Sequence, residues 1–164
     1  MSERALDISK SASIIADRMQ DEFEFYCYNE ATKLARSVES EIELILLLAF
    51  CMASRLGDMK IVVGNEIPEG VFTHLLITPQ YKWENYRIDF RIQAGRGNPF
   101  VFVECDGHDF HGRTKEQAER DRSKDRAIQS AGIPILRFTG REIWRAPDRC
   151  MVEIIKFITG LDKK

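Results

Sequence analysis

The sequence predicts an α/β domain built on a mixed sheet, and three observations carry that prediction. Helical periodicity runs through residues 2 to 57. β-Branched and aromatic runs, broken by Gly, Pro and Asn, take over between 60 and 106. From Thr114 a helical pattern returns and is interrupted by one short strand at 135–138. A chain whose helical and strand patterns alternate in this way buries the helices' apolar stripes against a sheet.

Residues 2–35 carry apolar positions at Ile14, Ile15, Met19, Phe23 and Tyr26, spaced mostly three, four and seven apart. This is the signature of one amphipathic helix, with Asn29 as a candidate break. Ser40-Glu41-Ile42-Glu43 reads as a capping box in which the Glu43 carboxylate returns to the Ser40 N–H. Leu44 to Met52 is apolar nearly all round, as in a buried helix, and Gly57 ends it. Strands are expected at about 60–64, 72–79, 85–93 and 99–106. The link from Ala94 to Pro99 contains Gly95, Gly97 and Asn98, which tolerate positive φ in a hairpin turn. Capping boxes at Thr114–Gln117 and Thr139–Glu142 open the later helices, and Gly132 and Pro147 punctuate them. The core order is therefore helix, three-stranded meander, helix, strand, helix.

At 164 residues, 44% apolar and 30% charged, the chain suits one domain with a proper core and is not a disordered tail. The apolar stretch from Leu44 to Ala53 is too short for a bilayer, and no signal-like segment opens the sequence. No membrane association is expected, and the localisation read from these features is cytoplasmic. Cys27, Cys51, Cys105 and Cys150 form no C-x-x-C pair, so free thiols are expected rather than a zinc site or a disulfide framework. A net charge of −2 does not itself announce a nucleic-acid binder, although acidic metal ligands can offset a basic groove.

Chemistry concentrates on the hairpin. Asp89 closes the alternating run Tyr86 to Phe90, and Glu104 and Asp106 follow four apolar residues, Phe100 to Val103. Period-two geometry sets Glu104 and Asp106 on one face of their strand, and the hairpin brings Asp89 alongside. Three crowded carboxylates at an apolar sheet repel one another and resist desolvation, and a divalent cation relieves both penalties. The plainer alternative pairs Asp89 and Glu104 with arginines such as Arg87 or Arg137. Gly107 permits a sharp exit, and His108 and His111 follow in the same loop.

Taken together, Tyr86-Arg87-Ile88-Asp89-Phe90 and Val103-Glu104-Cys105-Asp106-Gly107 with His111 resemble the PD-(D/E)xK nuclease superfamily. The similarity is greatest to the branch of very-short-patch repair endonucleases and restriction-endonuclease-like domains. Asp121, Lys124, Asp125, Ile128, Gly132 and Ile135 to Phe138 extend the resemblance, which covers about residues 38 to 145. It implies a restriction-endonuclease-like core in α-β-β-β-α-β-α order with an extra N-terminal helix. Residues 1–37 then form a helical extension and 38–164 a nuclease-like domain.

The resemblance also implies a role for each site residue. Asp89 and Glu104 hold Mg²⁺, with Mn²⁺ as a substitute, helped by the Cys105 carbonyl and by Glu43 if it is not spent on its cap. Asp106 stands where the signature has lysine. Lys124, with Arg120 four residues before it, is the candidate replacement cation. His111 can protonate a leaving oxygen. The excess of cations over acids between 113 and 126, rather than the resemblance, makes Arg113, Lys115 and Arg120 candidate phosphate contacts, and DNA is the expected partner. The N-terminal helix is available for a homodimer or a partner protein. The competing reading is a nuclease-fold module that has lost its chemistry and binds nucleic acid or protein.

Overall fold

The computed structural model describes residues 3–57, 59–96, 99–107 and 114–161, of which 3–16 and 19 are described as helix backbone. The elements are α1 (Glu3–Leu34), a 3₁₀ turn (Ala35–Ser37), α2 (Glu41–Leu56), β1 (Ile61–Val63), β2 (Leu75–Trp83), β3 (Tyr86–Ala94), β4 (Phe100–Asp106), α3 (Lys115–Ser130), β5 (Ile135–Thr139), α4 (Gly140–Arg145) and α5 (Pro147–Leu161). The helix through Asn29 is continuous, so the expected break is absent. No helix among the described residues is long and apolar enough to cross a membrane.

The five strands form one mixed sheet in sequential order. β1 runs parallel to β2, β3 is antiparallel to both its neighbours, and β4 runs parallel to β5. Helices cover both faces. Leu46, Leu47 and Phe50 of α2, Ile143 of α4, and Ile154 and Ile158 of α5 meet Ile77, Ile92, Val101 and Val103 on one face. Against the other face, Ile128 of α3 packs on Ile88 and Phe102, flanked by Tyr81, Trp83 and Phe100. Alternation along β4 explains this division, since Val101 and Val103 point one way and Phe102 the other.

The β2–β3 hairpin departs from simple alternation. β2 extends to Trp83, four residues past the expected end, because Pro79 is accommodated at an irregular step. There the pairing passes from Pro79↔Phe90 to Tyr81↔Ile88, and Gln80 takes a φ of 49°. The strands change faces at this point. Leu75, Ile77, Phe90 and Ile92 belong to the core under α2, whereas Tyr81, Trp83 and Ile88 belong to the cluster under α3. Asp89 lies opposite Gln80 in this twist, so a carboxylate emerges from the middle of the sheet without occupying a core position.

α3 is polar almost all round, and Ile128 is its one buried residue. Polar contacts supply the rest of its attachment: the Tyr86 and Ser123 hydroxyls meet at 2.9 Å, and Asp125 pairs with Arg137 of β5. Ile128→Ala is therefore expected to destabilise the fold by about 2–4 kcal/mol, as a lost buried branch and a cavity demand. Urea unfolding monitored by tryptophan fluorescence measures it.

Candidate active site

Three elements deliver the candidate residues to one place. β4 carries Glu104 toward α3, α3 carries Lys124 back to it, and the twist in β3 turns Asp89 to the same region. Lys124 Nζ lies 2.5 Å from Glu104 Oε1, with both side chains largely withdrawn from solvent. Arg137 Nε stands 3.7 Å from the other Glu104 oxygen. The cation expected to replace the signature lysine thus reaches the motif glutamate, from the helix that follows it in sequence.

Asp89 accepts a hydrogen bond from the Cys105 N–H at 2.7 Å. β3 and β4 pair only from Phe90↔Val103 onward, so this side chain takes up a backbone donor beyond the end of that pairing. Burial pushes the Asp89 carboxyl up to about 7. The Cys105 N–H opposes that rise, the charges of Glu43 and Glu104 add to it, and Lys124 lowers it. The same burial pushes the Cys105 thiol up, so at neutral pH this residue offers a site its backbone carbonyl rather than a thiolate.

The consequence for stability has a definite sign. A carboxyl with an ordinary pKa of 3.8 unfolded and about 7 folded holds more protons in the native state between those values. The contribution of Asp89 to stability is therefore greatest below the lower value, falls as pH rises from about 4 to about 7, and then levels. The metal-free protein is expected to melt at lower temperature at pH 8 than at pH 5. Divalent-cation stabilisation should grow over the same interval. Thermal melts with EDTA or Mg²⁺ across that range test both trends.

Glu43 is 5% exposed and fully engaged. Its carboxylate accepts from the Ser40 hydroxyl at 2.7 Å, the Glu39 N–H at 3.2 Å and the Gln80 amide at 2.5 Å. The Glu39 N–H takes the place expected for that of Ser40. Glu43 stands near enough to Asp89 to raise its pKa, so cap and site share one carboxylate.

Two clefts meet at Asp89, Asp121 and Lys124. One, of about 530 Å³, runs toward the hairpin tip and is lined by Lys82, Arg87 and Arg120. The other, of about 380 Å³, is bounded by Glu104, Asp106, Asp125 and Arg137. Its seven charged residues comprise five carboxylates and two cations, a field that concentrates positive ions. The first cleft carries four residues of each sign, and two of its cations are engaged, Arg87 with Glu39 and Lys124 with Glu104. Asp89, Glu104 and Asp106 all line the second cleft, although among the described residues no three acidic, histidine or thiol side chains form a group ready to hold a metal ion.

Other candidates sort by position. Arg120 lines the first cleft, whereas Lys115 is exposed in the first turn of α3 and borders neither. His111 and Arg113, with His108, lie outside the described residues. Arg87 pairs with Glu39 rather than Asp89. His74, inside the strand expected at 72–79, is exposed just before β2 and accepts the Lys60 N–H through Nδ1 at 2.9 Å. The contact sequence reasoning missed is Gln80 on Glu43. Its one signal is a polar residue directly after Pro79 in a run of strand formers.

Comparison with known proteins adds one match. The family model REase_MTES_1575, which describes a restriction-endonuclease-like family, matches residues 66–158, more than half of the 164. The match spans Asp89, Glu104 and Lys124 and excludes Glu43. No curated protein and no solved structure matches the chain. The sheet with helices on both faces is compatible with the fold of such a family, and a nucleic-acid substrate is what membership implies. The chain belongs to the restriction-endonuclease-like family REase_MTES_1575.

Proposed function

We propose that the protein is a divalent-cation-dependent nuclease that hydrolyses phosphodiester bonds in DNA. The observation that carries the reading is the meeting of Asp89, Glu104 and Lys124 inside the family-matched region, two carboxylates and a lysine drawn from three elements to one cleft.

The donor chemistry suits Mg²⁺ or Mn²⁺. Such ions take oxygen ligands, and Mg²⁺ in particular keeps waters and is held through one or two carboxylates plus substrate phosphate rather than by a dedicated cage. Asp89, whose charged form is penalised in the metal-free fold, gains most from such a neighbour. Asp89 and Glu104 would hold the ion, with the Cys105 carbonyl and Glu43 at its margin. The cation supplies Lewis acidity, which draws charge from the phosphoryl oxygens and makes water acidic enough to attack at neutral pH.

Lys124 keeps an ammonium beside Glu104 and donates to the phosphate oxygen on which charge grows. Arg120, together with Arg113 and Lys115, holds the phosphate chain, and His111 protonates the leaving oxygen. Asp106, on the wall of the acidic cleft, would add a further carboxylate on the cation's side.

Mass action provides the test. Mg²⁺ or Mn²⁺ at about 100 times its dissociation constant should stabilise the fold by roughly 2.7 kcal/mol. A melting temperature unmoved by either ion at millimolar concentration would leave a nuclease-fold binding module instead.

A further inference from the structure

The Gln80 side chain combines two costly features at one position. Its backbone has a φ of 49°, a conformation L-residues other than Asn and Asp seldom adopt, and its Oε1 is buried with no hydrogen-bond partner among the described residues. Unpaired buried acceptors are rare in folded proteins, and strained backbone concentrates where function requires it. The amide has only one workable orientation. Its N–H meets Glu43 Oε2 at 2.5 Å, and turning it over would set two acceptors against each other. The carbonyl oxygen is consequently the odd atom of the contact.

Gln80 lines a neighbouring cleft bordered by Glu39 and Pro79 rather than the two that meet at Asp89, and its link to Asp89 runs through the hairpin and through Glu43. The pairs Pro79↔Phe90 and Tyr81↔Ile88 bracket Gln80 and set it across the hairpin from Asp89. Glu43, which the amide grips, is close enough to Asp89 for their charges to interact. An unpartnered amide oxygen on a residue that grips one carboxylate and faces a second across the hairpin suits hard-cation chemistry, which takes carbonyl as well as carboxylate oxygens.

We infer that Gln80 belongs to the cation site: its N–H fixes the Glu43 carboxylate, and its side-chain oxygen serves a divalent cation as a ligand or through one of the cation's waters. The strained step in β2 is then the device that holds the amide against Glu43, across the hairpin from Asp89. The inference rests on the proposed function, since it assumes a cation at Asp89.

Calorimetric titration of the metal-free full chain with Mn²⁺ separates the two claims. Gln80→Met keeps the side-chain length and the demands of the backbone while removing the amide, and circular dichroism checks that it folds. Its Mn²⁺ affinity is expected to fall tenfold or more, as that of Asp89→Asn does. A smaller loss in Gln80→Met, with Asp89→Asn impaired, overturns the role of Gln80 and leaves the cation site standing. Wild-type affinity in Asp89→Asn, or no binding by the wild type, overturns both. Should Gln80→Met not fold, Gln80→Glu keeps the oxygen acceptors and loses the N–H. It binds Mn²⁺ if the oxygen serves the cation, and loses binding if the grip on Glu43 is all that matters.

Discussion

Asp89→Asn is expected to lose cation-dependent cleavage by roughly 10³-fold or more, the scale set by removing a preorganised charge from a site that stabilises developing charge. The same substitution should make the metal-free protein more stable at pH 8. The Asp89 carboxyl is pushed up to about 7, so its ionised form is the disfavoured one in the fold, and a neutral amide of equal shape escapes that penalty. The gain should be on the order of a few kcal/mol at pH 8 and should vanish near pH 4, where the wild-type carboxyl is protonated as well. Opposite movement of activity and stability in one variant marks a residue kept for chemistry. Parallel loss of both would make Asp89 a structural residue, and paired cleavage assays and urea titrations at the two pH values decide between them.

Lys124→Ala has the second largest expected effect, and here stability and activity fall together. Glu104 has a side chain only 8% exposed and loses its ammonium partner at 2.5 Å. Stranding one member of a buried ion pair costs about 3–5 kcal/mol, and Arg137 at 3.7 Å on the other oxygen should hold the loss to the lower end. α3 has little else to keep it in place beyond Ile128 and its polar ties, so its amides should exchange faster in the variant. Adding Glu104→Gln to Lys124→Ala removes the stranded charge and should restore most of the stability but none of the cleavage. A double variant no more stable than the single one would mean that the ion pair is not what holds this helix to the sheet.

The contrast between these residues shows where the sequence was readable. Asp89 and Glu104 could be brought together on paper because a hairpin with a glycine-rich turn makes neighbours of its two strands, and Glu104 stood out as a carboxylate ending an apolar run. The capping boxes at Thr114 and Thr139 were equally legible, since three-residue spacing is local chemistry. Lys124 was nameable as a candidate cation, but its contact with Glu104 depends on how α3 lies over the sheet. A helix with one buried residue has too weak an apolar stripe to reveal its orientation.

The twist at Gln80 was not legible. Pro79 and Gln80 read as the end of a strand, because proline removes a ladder donor and a positive φ at glutamine has no sequence signature. Period two, applied straight through the hairpin, therefore missed the exchange of faces between Ile88 and Phe90. The same error of scale affected Glu43. Its cap was evident from Ser40, while its bond to Gln80 spans 37 positions and belongs to tertiary packing. The start of β2 shows the reverse case: apolar Val71 and Phe72 suggested a beginning at 72, whereas the strand begins only at Leu75 and leaves His74 exposed before it.

If this cleft cuts phosphodiester bonds with a divalent cation, cleavage must depend on that cation. The dependence is tested most directly by incubating the purified wild-type chain with plasmid and with single-stranded DNA, in Mg²⁺ or Mn²⁺ and in EDTA. At least one substrate is expected to be cleaved with either ion and none with EDTA. Cleavage that persists undiminished in EDTA, or intact DNA in every cation-containing reaction, would contradict the proposed function.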